Sequence, residues 1–267
     1  MKRVLIVVDM QNDFVSGALG TPEARAIEPA VAARIRSFDG EVFATLDTHG
    51  PDYLRTQEGK RLPVPHCLAG TAGHALTDGV RAALAERGMD DAAHLLQKDT
   101  FGARELPGRI AAALCGAPEE VVLAGVCTDI CVISNALLVK AFFPEARVAV
   151  DAACCAGVTP KSHQTALDAM RACAKINRIF FDDPDEAYRL FHELVPDAGE
   201  GVQFTPPFNV DYGIGLTIGR GTFLNKDFMV CGGGYVTLGE DCLIGPRCTI
   251  ATPNHAKDAA TRLAGWE

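Results

Sequence analysis

Six short apolar runs, with longer stretches of helical spacing between them, occupy the first 182 residues, and this alternation admits few folds. The runs are VLIVVDM (4–10), EVFATLDTH (41–49), HLLQKDT (94–100), EVVLAGV (120–126), ARVAVDA (146–152) and NRIFFD (177–182). Val, Ile, Leu and Phe fill them at successive positions, as in strands covered on both faces. The segments between read as helices. They are 22–38, interrupted by Pro29; 75–88, closed by Gly88; 106–116; 129–143; and 159–176, with Thr159 as N-cap and Pro160 at the first helical position. Alternating β and α units predict an α/β three-layer sandwich with a mostly parallel six-stranded sheet.

The texture changes at 196–207, where PDAGEGVQFTPP is rich in Gly and Pro and reads as a linker after a first domain of 1–195. Beyond it the helical periodicity stops. Ile218, Leu224 and Val230 are six apart, as are Leu238, Ile244 and Ile250, with a gap of eight between the two triplets. Glycines follow at 219, 239 and 245. A six-residue period with small turn residues predicts a parallel β-helix over 208–267, in which each hexapeptide forms one side of a coil. A pair of ordinary hairpins accommodates the six in-phase positions less well.

In open parallel sheets, ligands lie outside the carboxyl ends of the strands. Here those ends carry Asp9, then Asp47 and His49, then Lys98, then GVCTDICV (125–132) with Cys127 and Cys131. Singly, each has an ordinary reading: a helix cap, an exposed amine, a packed thiol. Together they make coherent chemistry. A thiol attacks as the thiolate, which a nearby lysine and a helix N-terminus both favour. Cys131 falls in the first turn of the helix predicted to begin near Asp129. A carboxylate can take the thiol proton and pass it to a leaving amine. Backbone N–H groups of Cys127 and Cys131 can hold an oxyanion.

Net charge is −9, which argues against nucleic acid and anionic membrane as partners. No apolar run reaches the ~18 residues of a membrane span. The N-terminus reads as a strand rather than a signal peptide, and the ten cysteines include no CxxC pair. Buried free thiols in a cytoplasmic protein are the expectation.

VVDMQNDF (7–14), DTH (47–49), LPVPHCLAGTAG (62–73), KDTFGA (98–103) and GVCTDICV resemble the isochorismatase-like cysteine hydrolases, the nicotinamidase superfamily, over residues 3–182. The resemblance implies Cys131, not Cys127, as nucleophile, with Asp9 and Lys98 completing the triad. It also implies a cis peptide joining Val126 to Cys127, and a small amide substrate cleaved with release of ammonia. Asp47, His49 and His66 match the metal ligands of nicotinamidases, which implies a divalent ion, Zn²⁺, Mn²⁺ or Fe²⁺, that meets a ring nitrogen of the substrate. Phe14 matches a ring-contacting aromatic. Nicotinamidases often carry a Trp shortly before the PHC motif, where Pro63 stands here, so the resemblance leaves nicotinamide itself open. Isochorismate and carbamoyl or ureido compounds are the alternative substrates.

Residues 206–267 resemble the maltose and galactoside O-acetyltransferases of the hexapeptide-repeat family through PPFNVDYG, IGRGTFLNKD, LGEDCLIGPRCTI and TPNHAKD. The resemblance makes the β-helix left-handed and truncated. It matches His255 to a catalytic base and Asn225 and Asp211 to substrate contacts. The coils that bind acetyl-CoA in that family have no counterpart, so acetyl-CoA is not expected as a cofactor. Because the family forms trimers, a homo-oligomer is expected.

Overall fold

Five of the six apolar runs form strands. The computed structural model describes residues 1–213, 215–231 and 234–252. In chain order the first elements are β1 (Arg3–Val8), the single turn α1 (Asn12–Val15), α2 (Pro22–Ser37), β2 (Glu41–Asp47), a 3₁₀ turn (Tyr53–Arg55) and α3 (Gln57–Arg61). Then come α4 (Asp78–Glu86), β3 (Leu95–Lys98), α5 (Leu106–Ala113), β4 (Glu120–Val126), a π-type turn (Thr128–Val132), α6 (Ile133–Phe142), β5 (Arg147–Ala156) and α7 (Pro160–Ile179). The strands form one fully parallel sheet in the order β3-β2-β1-β4-β5.

Successive strand residues face opposite sides, and β1 shows what that does here. Leu5 and Val7 pack with Val31 and Ile35 of α2 and Val80 and Leu84 of α4. Val4, Ile6 and Val8 pack with Leu106 and Ile110 of α5 and Val132 and Val139 beside the other face. These five β1 side chains, Val4 to Val8, are fully buried, each contributing about 1.5–3 kcal/mol of hydrophobic stabilisation. The result is helices on both faces of the sheet, with β1 at its centre.

The sixth run, NRIFFD, is not a strand. Asn177–Ile179 are the last turn of α7. Ala169, Cys173 and Ile176 recur at helical spacing along the buried face of that helix and carry it through Asn177. The Asn177 side chain also accepts from the Phe208 N–H (2.8 Å) and donates to the Phe208 carbonyl (2.9 Å). The sheet therefore has five strands rather than six. Pro29 sits inside α2 without ending it.

The chain divides into two compact units, one covering Met1–His163 and the other Gln164–Pro253. The second contains most of α7, then α8 (Pro184–Leu194), β6 (Gln203–Phe204), β7 (Phe208–Val210), β8 (Leu216–Ile218), β9 (Phe223–Leu224), β10 (Phe228–Cys231), β11 (Val236–Leu238), β12 (Leu243–Ile244) and β13 (Thr249–Ala251). These strands make three small parallel sheets, β13-β10-β7, β11-β8 and β12-β9-β6. In every pairing a residue meets the one 20 positions on: Gln203 with Phe223, Phe208 with Phe228, Leu216 with Val236, Val230 with Ile250. Ile218, Leu224 and Val230 are buried in its core beside Phe191, Phe204 and Phe208. The stretch 196–207, read from sequence as a linker, is packed: Val202 and Phe204 are buried and β6 pairs with β9.

Candidate active site

Asp9 follows β1 with a left-handed backbone (φ 49°), a conformation that Asp tolerates better than most residues. Its N–H donates to the Thr45 carbonyl (3.1 Å), and its Oδ1 accepts from the Thr45 hydroxyl (2.7 Å). Lys98 closes β3, paired in register with Asp47 at the end of β2. Its Nζ lies 2.8 Å from Asp9 Oδ2, 3.2 Å from Asp47 Oδ1 and 3.7 Å from Cys131 Sγ. All four residues are buried. The Val126–Cys127 peptide is cis. The turn after it closes on the Cys127 carbonyl, which accepts from Ile130 and Val132 N–H, both at 3.0 Å.

The strand ends thus bring Asp9, Lys98, Asp47 and Cys131 to one place, and the electrostatics follow. Burial opposes charge on Lys98, but Asp47 and Asp9 outweigh it and hold the ammonium well above its usual range. Burial would raise Asp47 too, yet Lys98 and the two imidazoles keep its carboxyl well below the usual carboxylate range. Burial raises Asp9 despite Lys98, with Asp47 adding to the effect. Burial also pushes the Cys131 thiol well up, against the pull of Lys98. Burial thus acts against the charged forms of both Asp9 and Cys131, while Lys98 acts in their favour.

Asp47, His49 and His66 supply three donor atoms within 4.8 Å of one another. His66 Nδ1 sits 2.8 Å from the Val64 carbonyl, and this bond leaves its Nε2 facing Asp47 Oδ2 at 3.5 Å. His49 Nε2 stands 2.9 Å from the same oxygen but off the hydrogen-bond axis, and it is a buried nitrogen without a hydrogen-bond partner. Two imidazole lone pairs and a carboxylate converging in this way, one of them held by an outer hydrogen bond, fit a divalent cation with mixed N and O donors. The rings of His49, His66 and Tyr53 lie within 4.9 Å of each other, and Phe14 is 5.4 Å from His66.

Four residues at this site escaped the sequence reading. Glu58 on α3 places Oε1 3.8 Å from His49 Nε2 and 3.7 Å from His66 Nε2. Burial and the neighbouring Asp47 raise its carboxyl. Its only sequence signal is an acid between two histidines. Thr45, a polar break inside an apolar strand, holds Asp9. Gln11 clamps Asp47, accepting from its N–H (2.7 Å) and donating to its carbonyl (2.8 Å). Asn135 lies four residues past Cys131, beside Ser134 at the start of a helix that is otherwise apolar up to Lys140. In the second unit Asn225 follows β9, and Asp211 follows β7 and lines a cavity with Tyr212, Leu216 and Tyr235. His255 lies outside the described residues.

The fold and this edge define an α/β protein with a parallel sheet covered on both faces and a buried cysteine in the turn after its fourth strand. Residues 3–178 match the isochorismatase domain model, and the chain belongs to that family. It is similar to nicotinamidase PncA of Bacillus subtilis, with 28% identity, 64% of this chain and 95% of that one covered, and a TM-score of 0.53. It is likewise similar to the pyrazinamidase/nicotinamidase of Streptococcus mutans UA159, with 27% identity, 64% and 96% covered, and a TM-score of 0.55. A separate similarity links 93 residues, 35% of this chain, to Nodulation protein L of Rhizobium meliloti (strain 1021) at 30% identity. The chain spans about half the length of that relative. Among the described residues no helix is long and apolar enough to cross a membrane.

Proposed function

We propose that the first unit hydrolyses a small amide with release of ammonia, in the manner of a nicotinamidase. The observation that carries this reading is the single ammonium of Lys98 within reach of Asp9 and Cys131. Cys131 Sγ attacks the amide carbonyl carbon while Asp9 takes the thiol proton. The N–H groups of Cys127 and Cys131 hold the oxyanion. Asp9 returns the proton to the nitrogen, ammonia leaves, and a thioester remains. Water then attacks the thioester, Asp9 accepts its proton, and the acid departs with the thiol restored. Lys98 keeps Asp9 oriented and stabilises the thiolate.

Asp47, His49 and His66, with Glu58 beside them, would hold a divalent ion, Zn²⁺, Mn²⁺ or Fe²⁺. When bound, it supplies a Lewis-acid anchor for a heteroaromatic ring nitrogen. The nicotinamidases of Bacillus subtilis and Streptococcus mutans support a pyridine-like amide, and Phe14 beside His66 supports a ring contact. The test is an ammonia-release screen over small amides, including nicotinamide and pyrazinamide, with and without a chelator. Turnover confined to ureido compounds or isochorismate would replace this reading with the alternative ones.

For the second unit, the uniform 20-residue offset supports a parallel β-helix, left-handed on the hexapeptide-repeat resemblance, which we propose assembles the chain into a homo-oligomer and does not transfer acetyl groups. Sedimentation of the full chain and an acetyl-CoA turnover assay test these two points.

A further inference from the structure

Asn135 is fully buried, one turn past the nucleophile, and its side-chain amide makes three hydrogen bonds. Nδ2 donates to the Cys131 carbonyl (2.8 Å) and to the Phe101 carbonyl (3.1 Å), while Oδ1 accepts from the Ala103 N–H (2.9 Å). Three of the four bonds an amide can form are therefore spent on backbone. They join the turn that carries Cys131 to the loop that leaves β3 directly after Lys98. Thr100 tightens that loop by donating to the Gly102 carbonyl (2.8 Å), and Ala103 and Phe101 share an apolar cluster with Cys131. Nothing else in the reaction scheme above uses Asn135.

We infer that Asn135 is a positioning residue: it ties the 101–103 loop to the nucleophile turn and so fixes the approach of the Lys98 ammonium to the Cys131 sulfur. The two groups come from elements 33 residues apart, and the amide bridges the carbonyl of Cys131 itself to backbone three and five residues past Lys98. A leucine or alanine there would fill the helix equally well but would leave the bridge open. The role rests on the triad reading for its catalytic meaning, but the geometry it controls can be read without a substrate.

The test compares the full chain with Asn135→Ala and Asn135→Thr. Threonine can still bond the carbonyl one turn back but cannot reach the loop. Two readouts are taken: steady-state kinetics on the best amide, and the rate at which iodoacetamide alkylates Cys131, followed by mass spectrometry of its peptide. For Asn135→Ala, kcat should fall about 10–100-fold, the scale of a small misplacement of reacting groups. KM should stay within about threefold and Cys131 alkylation should slow by a similar factor, with Asn135→Thr in between. Wild-type kcat and wild-type alkylation in both variants would overturn the inference. If no amide is turned over by the wild-type chain, slower alkylation in the variants still supports the positioning role while the amide reading falls. If Asn135→Ala does not fold, Asn135→Thr decides by the same two measurements.

Discussion

The ammonium of Lys98 stands 3.2 Å from the carboxylate of Asp47, so one charge serves both the thiol corner and the imidazole corner of the site. Asp9 and Asp47 together carry more negative charge than Lys98 can balance, and Glu58 adds to the excess. His49 and His66 face that excess, which is the electrostatic reason a divalent cation suits the place.

Removing the ammonium should therefore be costly to the fold itself. Lys98→Met leaves two buried carboxylates facing each other and should destabilise the first unit by about 3–5 kcal/mol. Urea unfolding should show this as a lower midpoint, and Asp9→Asn should shift it far less.

Cys131→Ser should abolish ammonia release, by about 10³-fold or more, with an unchanged circular dichroism spectrum. Cys127→Ser should keep activity within about tenfold, since only its backbone N–H takes part. Burial raises both thiols, Cys127 up to about 12, so what separates them is geometry: the Lys98 ammonium lies 3.7 Å from Cys131 Sγ. A dead Cys127→Ser with an active Cys131→Ser would reverse the assignment.

The pH profile should report Asp9. Its folded pKa is raised, chiefly by burial, and it acts only when ionised. kcat/KM should thus fall as pH drops through a value above the ~3.9 of an ordinary aspartate. Lys98 is held well above its usual range and should contribute no alkaline limb at ordinary assay pH. A profile flat down to pH ~4 would remove Asp9 as the base.

Metal retention can be read directly. His49→Ala should lose the ion on dialysis against a mild chelator, measured as metal per chain. Glu58→Gln should bind it about 10–100-fold more weakly, and equal retention by Glu58→Gln and wild type would exclude Glu58 from the site.

At the opposite end of the strands, His94 lies 2.7 Å from Asp91 and 3.2 Å from Glu41. Burial opposes its charge, but the two carboxylates outweigh it and raise the folded pKa. The stability gained is present below the unfolded value of ~6.5 and is lost as pH rises through the folded one. The Tm difference between wild type and His94→Gln should shrink from pH 6 to pH 8.

Much of this site was legible in the sequence because a parallel strand is an apolar run, and the first polar residue after it marks the carboxyl end. Asp9 and Asp47 stand at such breaks and Lys98 closes β3, whereas Cys131 lies five residues past β4 and is distinguished from Cys127 in the sequence only by the family resemblance. Glu58 stands at no such break. It reaches the histidines because the short helix carrying it is folded against Tyr53, whose hydroxyl donates to the Leu62 carbonyl (2.9 Å), and because residue 59 is a glycine, where a Cβ would overlap the Tyr53 carbonyl. No periodicity encodes such a loop. NRIFFD misleads for a different reason: its composition suits a strand, but the buried positions Ala169, Cys173 and Ile176 had already set a helical phase. The six-six-eight spacing of apolar residues in the tail, by contrast, sums to the register the three small sheets adopt.

The strand order β3-β2-β1-β4-β5 puts the first-made strand in the middle of the sheet. A ribosome therefore releases the centre of this unit before either flank, and the parts of the site arrive at positions 9, 47, 98 and 131. On the triad reading, a nascent chain that has reached residue 126 would hold both acids and the amine but not the proposed nucleophile, and the site would be complete only once the turn after β4 has left the exit tunnel.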